Sequence, residues 1–295
     1  MLDAGNEKAR AIAQTALEET GAALISGDFD LFSRHYETPY TIATETGIAR
    51  RATNDELRDG FYDAVEYYRA RGVTRLDRQV ESALFDGPDG LRYCYVTQLM
   101  AGDQPYRAPY PNIATLRRRG DRWLTIATEH IVSDPETFSS ALLRVGHQTE
   151  AEQVAARAQF QSVLDQATRA YLTGDFDLLA DVIRLPLFLQ GSKARQVFAT
   201  RAALEADFRH YMREFTVNEI TDIVRLVKSA VKAGADRMHG SYRTHILCGT
   251  RLFVPSYVSA MTMERKPDGP WQISTIMHPA GHWTRSAPDS GEVTS

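Results

Sequence analysis

The stretch "SGDFDLFSRHYETPY", from Ser26 to Tyr40, returns later in the chain as "TGDFDLLADVIRLPL", from Thr173 to Leu187. Both stretches place Gly-Asp-Phe-Asp-Leu at the same distance before a proline, and their glycines, Gly27 and Gly174, are 147 residues apart. The chain therefore contains an internal repeat.

The 147-residue spacing extends well beyond the quoted stretch. Identical residues recur at it over about a hundred residues of each half: Leu17 and Leu164, Pro39 and Pro186, Thr53 and Thr200, Phe61 and Phe208, Tyr110 and Tyr257, Thr115 and Thr262. A period of half the chain is too long for a solenoid, whose units have roughly 20 to 50 residues. Each copy is therefore predicted to be a domain with its own core.

The repeat and the composition together predict two domains and argue against a nucleic-acid partner. We predict a first domain at 1–146, a second at 147–284, and a small, polar, disordered tail at 285–295. The 295 residues include 43% hydrophobic and 24% charged residues, which is typical of a soluble globular protein. A net charge of -4 argues against a nucleic-acid partner, because phosphate contacts need an excess of Lys and Arg.

No secretory or membrane-spanning segment is predicted, since no apolar run is long enough to cross a bilayer. The two cysteines, Cys94 and Cys248, form no CxxC motif, so neither a disulfide framework nor a structural zinc site is expected. Reduced cysteines favour a cytoplasmic location.

Each copy begins with a pattern typical of an amphipathic helix. Gly27 and Gly174 are predicted to end that helix, because glycine tolerates a left-handed conformation. The aspartates that follow them are predicted to cap a short second helix. Pro39 and Pro186 are predicted to end the second helix, since proline supplies no N–H and disfavours helix in the preceding residue.

A hairpin, a third helix and several strands are predicted next. The hairpins turn near Thr46-Gly47 and Gly191-Ser192, and Thr53 to Glu56 form a capping box. The predicted buried faces of the third helices are Leu57, Phe61, Val65 and Tyr68 in one copy and Leu204, Phe208, Met212 and Phe215 in the other. Helices followed by long antiparallel strands predict an α+β fold.

This order of elements resembles the nuclear-transport-factor-2-like superfamily, and most of all its SnoaL-like domains of the polyketide-cyclase and ketosteroid-isomerase type. The resemblance rests on "ALISGDFDLFSRHYETPY", "AYLTGDFDLLADVIRLPL", "GDRWLTIATEH" and "DGPWQISTIMH". It implies two tandem cone-shaped domains, each a curved, mainly antiparallel sheet wrapped around three N-terminal helices with one potential pocket. It also implies pairing of the two sheets as an intramolecular pseudo-dimer, with further homo-oligomers left open.

The resemblance implies a catalytic tyrosine on the first helix and an acid on the first strand. The tyrosine position holds Thr20 in one copy and Ala167 in the other, so this oxyanion donor is missing. Glu45 is the candidate general base of the first copy. The alternative is that Glu45 is solvated at the hairpin tip.

The last strand contributes His130 and His278. Alignment on the strand's tryptophans uses a spacing of 148 and pairs these histidines, whereas a spacing of 147 pairs His130 with Met277. Both alignments are compatible with the sequence. His130 is a candidate catalytic proton shuttle, and the alternative is a hydrogen-bonded histidine at a strand end. No HExxH motif is present, and no metal site is predicted.

Aromatic and imidazole side chains are the candidate ligand-binding groups. They are Tyr40, Tyr62, Tyr95 and Tyr110 in the first copy and His210, Tyr242 and His278 in the second. Tyrosine combines an apolar ring with a polar tip, which suits the orientation of an apolar ligand. The alternative is ordinary core packing.

The expected function is binding of a small apolar or aromatic molecule, without a cofactor, in the pocket of one or both domains. One alternative is a cofactor-independent isomerase, cyclase or lyase that uses Glu45 and His130. A second alternative is a non-catalytic structural or assembly module, because fold alone does not select a function.

Overall fold

The structure is a computed structural model that describes residues 2–44, 47–130, 149–191 and 195–278. The chain divides into two compact units, Met1–His147 and Gln148–Ser295. Within the described residues, each unit has its own helices and its own seven-stranded mixed sheet, so the fold class is α+β.

The first unit has the helices α1 (Leu2–Ser26), α2 (Phe29–Ser33) and α3 (Asn54–Ala70). Its strands are β1 (Tyr36–Thr44), β2 (Gly47–Arg51), β3 (Arg75–Phe85), β4 (Gly90–Ala101), β5 (Gln104–Pro105), β6 (Tyr110–Arg119) and β7 (Arg122–His130). The sheet order is β2-β1-β7-β6-β4-β3, with β5 paired to β4. β1 and β7 run parallel, and the other pairs are antiparallel.

The second unit repeats this plan with the helices α4 (Glu150–Thr173), α5 (Phe176–Asp181) and α6 (Arg201–Val217). Its strands are β8 (Ile183–Gly191), β9 (Arg195–Phe198), β10 (Asp222–Lys232), β11 (Arg237–Cys248), β12 (Arg251–Leu252), β13 (Tyr257–Glu264) and β14 (Gln272–His278). The order is β10-β11-β13-β14-β8-β9, with β12 paired to β11. None of the described helices combines the length and the apolar character needed to cross a bilayer.

The repeated Gly-Asp pair forms the boundary between two helices in each unit. Gly27 and Gly174 directly follow α1 and α4 and have φ angles of +78° and +68°, which favour glycine. Asp28 and Asp175 accept hydrogen bonds from backbone N–H groups in the first turns of α2 and α5. The predicted helix end and the predicted cap are both confirmed.

Pro39 and Pro186 do not end the short helices, contrary to the prediction. α2 already ends at Ser33 and α5 at Asp181, and the prolines lie inside β1 and β8, each after a cis peptide bond. The parallel pairing of β1 with β7 and of β8 with β14 shifts register across the proline. A proline lacks the N–H that a ladder requires, so it fits where strand pairing is interrupted.

The third helices begin and pack as predicted. Thr53 caps α3 by accepting a hydrogen bond from the N–H of Glu56, whose carboxylate accepts one from the N–H of Ala52. The predicted inner faces are buried, with Met212 only half-buried. α1 packs along β3 and α4 along β10, so the core of each unit lies between helices and sheet.

The strand pairing decides the register that the sequence leaves open. His130 is opposite Thr44 on β1, and His278 is opposite Gly191 on β8. Thr44 and Gly191 are 147 residues apart, whereas the two histidines are 148 apart. His130 and His278 are therefore equivalent, because the hairpin before the last strand has one extra residue in the second unit.

Candidate functional site

The first unit contains a cavity between its helices and one face of its sheet. Its volume is about 80 Å³, counted as the space open to the centre of a water molecule. One water needs roughly 10–15 Å³ by that measure, so the cavity has room for a small organic molecule. Much of the wall is apolar or aromatic: Leu24, Phe32, Ile42, Leu57, Phe61 and Tyr68. Four predicted site residues also line it: Tyr40, Tyr95, Tyr110 and His130.

Two rows of polar side chains on neighbouring strands form what we call the polar floor. Its first row is Arg78, Thr97 and Tyr110, and its second row is Tyr95, Asn112 and His130. Within a row the residues are direct cross-strand partners, and the two rows are two residues apart along the strands. Residues two apart share a face, so strand register alone brings these six side chains to one surface.

Arg78 is positioned by a side chain of α1. The Gln14 amide donates to the Arg78 carbonyl and accepts from the Val80 N–H, both at 3.0 Å. The Arg78 guanidinium lies against Gly21, where a Cβ would come within 2.8 Å of Nη2. Nε and Nη2 of Arg78 are buried and have no hydrogen-bond partner among the described residues. The guanidinium also faces the Tyr95 hydroxyl.

A hydrogen-bond chain determines the tautomer of His130. The Asn112 amide nitrogen donates to Thr97 and to a backbone carbonyl, both at 3.0 Å, so its oxygen is the acceptor for His130 Nδ1 at 2.7 Å. His130 therefore carries its proton on Nδ1, and Nε2 accepts from the Thr128 hydroxyl at 3.2 Å. Thr128 in turn accepts from the Tyr40 hydroxyl.

Burial shifts the pKa values of the side chains in and around the polar floor. Desolvation, followed by the positive charge of Arg78, lowers the pKa of His130 to about 3, so this imidazole is neutral at physiological pH. Burial raises the pKa of Tyr40 well above its usual value. Burial also raises the pKa of Tyr95, and the nearby Arg78 opposes that rise. The cavity thus combines neutral hydrogen-bonding groups with the fixed charge of arginine.

The second unit has a cavity of about 60 Å³ at the equivalent place. Its polar floor is Arg225, Thr244 and Tyr257 in the first row and Tyr242, Ser259 and His278 in the second. Gln161 bonds the backbone around Arg225 just as Gln14 does around Arg78. Burial, followed by the charge of Arg225, lowers the pKa of His278 to about 4. Only one floor position, Asn112 to Ser259, differs between the units.

The walls of the two cavities differ more than the floors. Leu187 and Ile276 occupy the positions of Tyr40 and Thr128, so the second cavity has no counterpart of their hydroxyl chain. Asp207 stands where the first unit has Gly60, and it adds a carboxylate to the second wall. The chain of hydroxyl groups that leads to the histidine is therefore found in the first cavity, whereas His278 bonds the Ser259 hydroxyl instead.

The remaining predicted site residues lie elsewhere. Glu45 is outside the described residues. Tyr62 is 49% exposed and packs against Phe29 and Phe61 rather than lining the cavity. His210 is half-buried on α6 and lines neither cavity, whereas Tyr242 and His278 line the second. Across the described parts of the chain, no three His, Cys, Asp or Glu side chains are grouped closely enough to hold a metal ion.

Arg78 and Arg225 are not among the site residues predicted from the sequence. Arg78 and Arg225 are 147 residues apart, as are Thr97 and Thr244, so the repeat itself carried the signal. An arginine within a strand is ordinarily assumed to face solvent, and only the pairing of β3 with β4 shows that Arg78 faces the helices.

Neither a protein-family model nor a curated protein matches the chain. Solved structures do match. A protein of unknown function with a cystatin-like fold from Nostoc punctiforme is 17% identical, with a TM-score of 0.35, over 43% of this chain and 92% of the other. An NTF-2 like protein of unknown function from Shewanella oneidensis is 12% identical, with a TM-score of 0.33, over 41% of this chain and 98% of the other.

Proposed function

We propose that the first unit binds a small, mostly apolar molecule in its cavity. The observation that supports this most is the composition of the wall, in which aromatic and aliphatic side chains surround the polar floor. Small-molecule sites are typically concave and apolar, with a few well-placed polar groups. Here Gln14, Asn112 and the strand register hold those groups in place before a ligand arrives.

Filling the cavity tests this proposal. Tyr211 lines the second cavity at the position of Ala64, so the fold accommodates an aromatic ring there. Ala64→Tyr in the full chain should weaken binding of one- and two-ring aromatic compounds about tenfold or more, measured by isothermal titration calorimetry. Tyr211→Ala is the matched control and should leave binding to the first cavity unchanged. If no aromatic compound, neutral or acidic, binds the unaltered protein, the proposal is wrong.

A second candidate is cofactor-independent acid–base catalysis in the same cavity. The observation in its favour is the chain from Tyr40 through Thr128 to Nε2 of His130. A pKa near 3 makes His130 a weak base, so this candidate requires the bound substrate to raise that pKa toward neutrality. Titration of the His130 imidazole by NMR, with and without a bound aromatic compound, tests this, and an unchanged pKa would exclude His130 as the base.

A further inference from the structure

Arg78 differs from Arg75 and Arg119, two arginines of the first unit that pair with carboxylates, because no carboxylate among the described residues neutralises it. Arg75 pairs with Asp77 at 2.6 Å, and Arg119 pairs with Glu37 at 2.7 Å. No ion pair reaches Arg78 within the described residues, and two of its guanidinium nitrogens are buried without a hydrogen-bond partner. Burying such a charge destabilises a fold unless something else compensates it.

The described wall of the first cavity provides no carboxylate to compensate this charge. Its described lining contains two arginines, Arg51 and Arg78, and neither Asp nor Glu. The titratable side chains on which the charge of Arg78 acts include the neutral His130 and the buried Tyr95 and Tyr110. The positive charge therefore acts on the interior of the cavity, where the dielectric constant is low and its effect is strong.

The equivalent arginine of the second unit is compensated. Arg225 donates from Nη1 to the hydroxyl of Thr168 at 3.0 Å, where the first unit has Gly21. Its guanidinium also lies 5.4 Å from the ring centroid of Tyr171, which allows a cation–π contact. Asp207 adds a carboxylate to the same wall. The duplicated arginine has thus kept its position while its surroundings have changed.

We propose that the ligand of the first cavity carries a carboxylate on its apolar or aromatic body, and that Arg78 and the Tyr95 hydroxyl bind this carboxylate. This inference rests on the proposed function, since it describes the ligand of the same cavity. A planar guanidinium and a hydroxyl are both donors, and charge-assisted hydrogen bonds to a carboxylate are among the strongest available. The second cavity does not select for an anion.

A matched pair of ligands separates this inference from the proposed function. 2-Naphthoate and 2-naphthamide have the same ring system and differ in charge, as do benzoate and benzamide for a smaller body. Calorimetry with the full chain near neutral pH should show the acid binding about tenfold or more tightly than its amide. Arg78→Gln should abolish this preference, and Arg225→Gln should leave it intact.

Two further variants exclude a purely structural role for Arg78. Gly21→Thr places a hydroxyl against the guanidinium, as Thr168 does in the second unit, and should weaken naphthoate binding while Arg78 is retained. Arg78→Met removes the buried charge and should leave the melting temperature unchanged or raise it. A lower melting temperature for Arg78→Met would show that the arginine stabilises the fold instead.

The outcomes are distinct. Equal affinity of acid and amide for the unaltered protein, or a preference that survives Arg78→Gln, overturns the carboxylate inference and leaves small-molecule binding in place. Failure of every acid and every amide to bind overturns the proposed function and, with it, this inference.

Discussion

The cavities of the two units share nearly the same polar floor but differ in their walls. In both, an arginine, a threonine and a tyrosine form one row, and a tyrosine and a histidine flank the next. Around this shared floor, the second unit has Leu187, Ile276 and Asp207 where the first has Tyr40, Thr128 and Gly60. The hydroxyl chain is thereby replaced by apolar side chains, and a carboxylate lines the same cavity as the arginine.

The difference shows which positions the fold requires. The floor lies on long paired strands, where each side chain has at least one direct cross-strand partner, so a change at one position disturbs another. Wall residues such as Tyr40 and Gly60 are not part of these rows and can change more independently. We therefore expect the floor residues to maintain the shape of the cavity and the wall residues to determine which ligand binds.

The largest expected effect is at the single floor position that differs. Asn112 is fully buried and makes three hydrogen bonds, so Asn112→Ala should lower the free energy of unfolding by about 3 kcal/mol. Ser259→Ala, which removes the hydroxyl bonded to His278, should cost about 1 kcal/mol. Urea unfolding measures both, and equal losses would mean that the amide does not organise the first floor.

Acid should destabilise both units through their histidines. The pKa of His130 is lowered to about 3 and that of His278 to about 4 by burial and by the adjacent arginines, Arg78 and Arg225. Below the unfolded pKa of about 6.5 the unfolded chain binds protons that the native state excludes, so stability falls as pH falls. Each histidine should cost about 2 kcal/mol at pH 5 relative to pH 7.

The two histidines should differ in their effect only below pH 4. There His278 becomes protonated in the native state and causes no further loss of stability, whereas His130 lowers the free energy of unfolding by about 1.4 kcal/mol more. Urea midpoints measured across this pH range, with His130→Gln and His278→Gln as matched variants, test the difference. A pH dependence that neither variant reduces would place the responsible groups elsewhere.

The smallest expected effect concerns the wall charge. Gly60→Asp copies Asp207 into the first cavity, next to Arg51, whose nitrogens would lie 2.9 Å from the new Cβ. The added carboxylate should weaken 2-naphthoate binding about fivefold, or about 1 kcal/mol, and leave 2-naphthamide unaffected. Asp207→Gly is the reciprocal variant. Equal weakening of both ligands would indicate steric exclusion rather than charge.

Features that depend on a few neighbouring residues were predictable from the sequence. The ends of α1 and α4, the aspartate caps and the buried face of α3 each follow from side chains within about four positions of one another. The repeat predicts the same features at the equivalent positions of the second half. The place of Pro39 was not predictable, because proline is equally compatible with a helix end and with interrupted strand pairing, and local sequence does not distinguish them.

The candidate site depended on pairing between distant segments. Tyr40 and Thr128 meet across 88 residues because β1 runs parallel to β7, and Gln14 reaches the carbonyl of Arg78 across 64. Side chains alternate along a strand, so a shift of one residue in register would turn Arg78 and His130 away from the cavity. The sequence by itself determined a duplicated α+β scaffold, the glycines that end its first helices and the aspartates that cap its second helices. Only the tertiary structure, through strand register, decided which side chains share a cavity and left Arg78 without a carboxylate partner among the described residues.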